Sequence, residues 1–148
     1  SAFLARDDVM AVFQPGDHGS TFGGNPLAAA VGRAALQALQ EEALAERAAA
    51  LGPVLMQALR DLRHPAIRTV RGRGLLVGVE IDPQWASARQ VCEALLAEGV
   101  LSKDTHGTVV RFAPPLVVTA EQLHEAAAAL GRALQAVEPR HGFCLASC

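Results

Sequence analysis

From residue 26 the apolar positions recur at a helical period. Leu27, Val31, Ala34, Ala35 and Leu39 share one face. Asn25 suits an N-cap and Pro26 a first-turn position, which predicts a helix over 26–40. A second helix is predicted over 44–62, bent or broken at Gly52-Pro53 because proline removes an N–H donor. His64-Pro65 ends it. The period then switches to two: Leu75, Val77, Val79 and Ile81 alternate with Leu76, Gly78 and Glu80. Strands are predicted over 67–71 and 75–81, joined at Gly72-Arg73-Gly74. A helix over about 86–98 follows, ended by Gly99. Further strands are expected at 100–102 and 109–112. Thr119-Ala-Glu-Gln122 is a capping box, and Leu123, Ala127, Leu130, Leu134 and Val137 carry the last helix to a stop at Pro139. At the other end, residues 1–6 read as the end of a buried strand and 7–14 as a short helix or turn closed by Pro15-Gly16.

From residue 66 the order is strand, strand, helix, strand, strand, helix. That order describes an α+β unit, a small sheet covered by helices. No internal repeat interrupts it. A length of 148 residues allows one domain, or one plus part of another. Apolar content of 51% supplies a core, much of it helical alanine. A net charge of −2 and the lack of a basic run argue against a nucleic-acid partner. No stretch approaches the ~20 apolar residues of a membrane helix, and the first residues show no targeting pattern, so a cytoplasmic place is expected. The three cysteines, Cys92, Cys144 and Cys148, lack zinc-type pairing and read as reduced thiols. No metal is expected.

Two segments carry chemistry. Gly16-Asp-His-Gly-Ser-Thr-Phe-Gly-Gly-Asn-Pro26 crowds glycines around Ser20-Thr21 before a helix. Backbone N–H groups and hydroxyls with no Cβ in the way suit a phosphate. On spacing alone, polar turn residues leading into a helix explain Gly-Ser-Thr equally well. Lys103-Asp-Thr-His-Gly-Thr-Val-Val-Arg-Phe-Ala-Pro-Pro-Leu116 places Arg111 on a strand between Val109, Val110 and Phe112. Guanidinium is a rigid fork that suits a carboxylate, and apolar surroundings would demand an anionic partner. A surface ion pair is the plainer explanation. Arg71 and Arg73 read as a solvated turn, Trp85 as core, and His18 and His106 as turn residues without a triad. Phe22, inside the glycine-rich loop, stays open between pocket and packing.

Gly19-Ser-Thr-Phe-Gly-Gly-Asn-Pro26, Val70-Arg-Gly-Arg-Gly-Leu-Leu76 and the Arg111 segment together resemble the class III pyridoxal-phosphate aminotransferases, over roughly residues 1–137. Within the class, residues 103–116 are most similar to the ornithine-type enzymes; acetylornithine-type members usually lack the Thr-His-Gly turn. The resemblance implies a fold-type I α/β architecture. Residues 1–40 would be the tail end of the large cofactor domain, 41–65 a connecting helix, 66–138 the α+β small domain, and 139–148 a tail without counterpart. It implies pyridoxal 5'-phosphate as cofactor, with Ser20 and Thr21 binding its phosphate, Thr21 from the neighbouring subunit of a homodimer. It implies that Arg111 binds a substrate carboxylate, the substrates being an amino acid and a 2-oxo acid.

Lys103 is the chain's one lysine and falls where the class does not place its cofactor-bearing lysine. That lysine is expected upstream, so no residue here is expected to be catalytic, and the chain alone is expected to be inactive. Two other possibilities remain at this level: a fragment of an acetylornithine or other ω-amino acid transaminase, and a non-catalytic binding or dimerisation module.

Overall fold

The computed structural model describes residues 3–137. The chain divides into two compact units, one ending at Ala43 and the other beginning at Leu44.

In the first unit, α1 (Asp7–Met10) and α2 (Pro26–Glu41) are joined by the glycine-rich loop. Asn25 caps α2 as predicted: its side-chain oxygen accepts from Ala28 N–H at 2.9 Å, and its amide donates to the Phe22 carbonyl at 2.6 Å. No residue of α2 is buried. Residues 3–6 are not a strand, and Leu4 is 98% exposed. The strand expected there has no ladder partner among the described residues, and an extended segment without one has no hydrogen bonds to hold it.

In the second unit, α3 (Leu44–Asp61), β1 (Ile67–Arg73), β2 (Leu76–Ile81), α4 (Ala88–Ala97), β3 (Lys103–Thr105), β4 (Val109–Phe112) and α5 (Ala120–Ala136) follow in order. The sheet is fully antiparallel, in the order β1-β2-β4-β3. Val70, Val77, Val79, Ile81, Val110 and Phe112 point from it into a core shared with Leu55, Leu59, Leu95, Leu123, Leu130 and Leu134. The sheet's other face carries the polar half of the alternation.

Three expectations are corrected. Helix α3 runs unbroken through Pro53. Proline clashes with the Cβ of the residue before it; here that residue is Gly52, which has none. The bare Gly52 also lets α3 press onto the β1–β2 turn, where a Cβ would stand 2.8 Å from Gly74 Cα. Core contacts through Leu55 and Leu59 hold the rest of the helix in place. Helix α4 begins at Ala88 rather than 86, because Ser87 and Gln90 form a capping box. The third strand is 103–105, not 100–102. Thr119 and Gln122 cap α5 as predicted, whereas the Pro139 stop and the 139–148 tail lie outside the described residues.

Trp85 is a core residue. Its indole N–H donates to the Val137 carbonyl at 3.2 Å, and its ring meets His64 edge-on at 4.9 Å. Cys92 is a buried free thiol, its pKa raised by burial. Cys144 and Cys148 lie outside the described residues. Among the described residues no helix is long and apolar enough to cross a membrane.

Candidate active site

The sequence-derived site residues fall in both units. Ser20 and Thr21 lie in the loop between α1 and α2, and Arg111 lies on β4.

Local bonds shape the loop. Ser20 Oγ accepts from Gly23 N–H at 2.9 Å, a turn that a side chain at Gly23 would obstruct, since its Cβ would stand 2.9 Å from Ser20 Oγ. Ser20 therefore has one structural bond and keeps its own O–H as a donor. Thr21 is exposed, and its hydroxyl has no hydrogen bond among the described residues. A Cβ at Gly19 would meet open space, and Gly24 sits at φ +74°, where L side chains are strained. Residues 18–25 contain no carboxylate. Two hydroxyls, exposed backbone and no negative charge fit a phosphate group.

Arg111 is placed by strand register. It lies opposite Gly78 on β2 and opposite Lys103 on β3, and Arg71 on β1 faces Gly78 from the other side. These four positions form one row across the sheet, on the face turned away from the core. Arg71 is paired with Glu80 at 2.9 Å. Arg111 is exposed and has no hydrogen bond or ion pair among the described residues. The apolar surroundings expected from its sequence neighbours are not there, because Val110 and Phe112 point to the opposite face and into the core. Val109, on Arg111's own face, leans towards Gly78, where a Cβ would stand 3.1 Å from Val109 Cγ1. Arg111 is thus a solvated guanidinium with its hydrogen-bonding edge available.

Sequence reasoning missed Lys103. The signal was the Thr-His-Gly turn. His106 and Gly107 both have positive φ, 52° and 75°, which reverses the chain there. Counting back from that reversal puts 103–105, not 100–102, against β4, with Lys103 beside Arg111.

The first unit carries a hydroxyl-rich loop, and the second carries an exposed arginine on a small antiparallel sheet. Residues 1–134 match the family model of class-III aminotransferases, and the chain belongs to that family. It is 55% identical over 123 residues to an ornithine aminotransferase of Geobacillus sp. (strain WCH70), covering 83% of this chain and 30% of that protein. A solved ornithine aminotransferase from Toxoplasma gondii, described with partial occupancy of PLP at its active site, matches with a TM-score of 0.78 and 46% identity, over 90% of this chain and 32% of that one. An acetylornithine aminotransferase from Elizabethkingia anophelis matches with a TM-score of 0.76 and 43% identity, over 90% of this chain and 34% of that one. The architecture is that of the fold-type I pyridoxal-phosphate aminotransferases. The chain spans about 30% of the length of the curated relatives it matches.

Proposed function

We propose that this chain is the C-terminal part of an ornithine aminotransferase, moving an amino group from the δ carbon of ornithine to a 2-oxo acid such as 2-oxoglutarate. The observation that carries the reading is Arg111: an exposed guanidinium held by strand register, unpaired among the described residues, in a chain whose curated relatives are named ornithine aminotransferases. When bound, pyridoxal 5'-phosphate supplies the electron sink that lets an amino group leave one carbon skeleton for another. Thr21, and Ser20 through its free O–H, donate to the cofactor phosphate. Arg111 holds a substrate carboxylate in a two-pronged pair. Lys103 is the chain's one lysine and lies on β3, so no lysine of these 148 residues is assigned to bond the cofactor.

In this reading residues 1–40 end the large cofactor domain, 41–65 connect, and 66–138 form the small domain. The whole protein is a cytoplasmic homodimer in which Thr21 serves the neighbouring subunit's site. The 43% identity to an acetylornithine aminotransferase supports a second donor, acetylornithine. The test uses the full-length protein, assayed with ornithine and with acetylornithine against 2-oxoglutarate. Preference for ornithine is expected. In single-turnover runs Arg111→Ala should slow the half-reaction of the dicarboxylic partner by tens- to thousands-fold, with Arg111→Lys rescuing poorly. Small, equal losses in both half-reactions would make Arg111 a structural residue.

A further inference from the structure

The outer face of the sheet carries more positive charge than one carboxylate needs. In the row Arg71, Gly78, Arg111, Lys103, three of four positions are cationic. Arg71 is already compensated by Glu80. Arg111 is uncompensated among the described residues. Among the described residues Lys103 pairs only with Asp104, at a loose 3.6 Å, and Asp104 is shared with Arg89 at 3.8 Å. Such exposed pairs hold a side chain weakly. Residues directly opposite on antiparallel strands have Cβ atoms about 4.5–5.5 Å apart, so two like charges face each other at Arg111 and Lys103. That juxtaposition is unfavourable until an anion lies against both. On Arg111's other side Gly78 offers no side chain to share the ligand.

We propose that Lys103 is a second cation of the Arg111 site and makes it select doubly charged carboxylates over singly charged ones. The inference rests on the reading of Arg111 as a carboxylate-binding residue. A monocarboxylate is satisfied by the guanidinium fork alone. A dicarboxylate brings a second charge into the field of both groups, and only the dianion gains appreciably from the added ammonium. Lys103 acts as a specificity residue. It takes no part in the chemistry, and its position eight residues before Arg111 follows from the hairpin between them.

The experiment measures binding of two unreactive probes, glutarate and valerate, to the full-length, cofactor-loaded protein. Lys103→Gln should weaken glutarate about fivefold and valerate less than about twofold, the scale of one solvated charge. Lys103→Arg should keep glutarate within about twofold of the wild type. In steady state Lys103→Gln should raise the KM of the dicarboxylic 2-oxo acid while kcat holds. If Lys103→Gln leaves glutarate unchanged while Arg111→Ala weakens it, the second cation is overturned and the reading of Arg111 stands. If Lys103→Gln weakens both probes equally, the selectivity is overturned. If Arg111→Ala changes neither probe, the reading of Arg111 falls and the inference falls with it.

Discussion

The two units obtain their structure by different means. Residues 44–137 bury a continuous core in which Leu55, Val79, Ile81, Leu130 and Leu134 lose all solvent contact. Residues 3–43 bury no side chain. What orders them is local: the Asn25 cap, the Ser20–Gly23 turn, and Asp17 accepting from Gln14 N–H at 2.7 Å. Meanwhile Leu27, Val31 and Leu36 stay more than half exposed along α2. Each such side chain forgoes about 1.5–3 kcal/mol of burial. Helix α2 thus has the sequence of a packed helix and the surroundings of a free one, whereas the sheet unit satisfies its own pattern. The proposed phosphate loop lies in the first kind of structure and the proposed carboxylate site in the second.

The sharpest way to break this contrast is a matched pair of truncations. Leu55→Ala empties a fully buried core position and should cost about 2–5 kcal/mol. Val31→Ala in the same 148-residue chain should change stability by less than about 0.5 kcal/mol, the range of surface substitutions. Urea denaturation measures both. Amide exchange should show slow protons in β2, β4 and α5 and fast ones in α2. Comparable losses from the two substitutions would mean that α2 is packed in solution.

Thr21→Ala addresses function in the local unit. In the full-length protein it removes one charge-assisted hydrogen bond to phosphate and should cost about 1.5–3 kcal/mol of cofactor affinity with the fold unchanged. Mixing it with a subunit lacking the cofactor lysine should restore activity, since one hybrid site then holds both intact residues. Unchanged cofactor affinity would reduce Thr21 to a turn residue. Gly52→Ala tests the packing of the second unit instead. The added Cβ meets Gly74 backbone rather than a side chain that can swing away, so α3 must shift. A loss of about 1–3 kcal/mol is expected from such overpacking, read from the urea midpoint. A neutral result would show that the hairpin turn yields.

Sequence made the sheet unit legible where period and caps agreed. The alternation through Val77, Val79 and Ile81 and the Thr119–Gln122 box are both present, although β1 runs on to Arg73, β2 starts at Leu76 and the turn falls at Gly74-Leu75 rather than at Gly72-Arg73-Gly74. It failed where tertiary contact outweighed a local rule. Pro53 removes an N–H donor, but Gly52 has no Cβ to clash with its ring and core contacts through Leu55 and Leu59 hold the segment. The helix expected from about 86 starts at Ala88, because the Ser87–Gln90 box places the N-cap at Ser87. For the site, the two arginines, the lysine and the glycine of the row were readable as residues, but not as neighbours. Chain adjacency suggested that Val110 and Phe112 surround Arg111, whereas strand alternation sends them to the other face. Lys103, eight positions away in sequence, is the true neighbour. Its place depended on a turn whose geometry residue type alone did not fix.

The smallest effect expected is a pH dependence confined to the sheet unit. His64 follows α3 at Arg63, which itself has positive φ. Its Nδ1 accepts from Ala66 N–H at 3.2 Å, and its ring abuts Trp85. Burial holds its pKa below the ordinary 6.5. Arg60, Arg63 and Arg68 line the same hollow, and none of them favours a second positive charge. The unfolded chain therefore binds a proton at a higher pH than the folded one. Stability from this group is complete above about pH 6.5 and is lost as pH falls through the depressed folded value. The urea midpoint of the 148-residue chain, followed from about pH 8 to about pH 5, should decline below 6.5. His64→Gln retains a side-chain acceptor without a titrating ring and should flatten that decline. Superimposable profiles for the two proteins would show that the imidazole titrates alike in folded and unfolded chains. The midpoint of α2-face variants such as Val31→Ala should follow the wild-type profile, because the substitution leaves His64 and the arginines of its hollow in place.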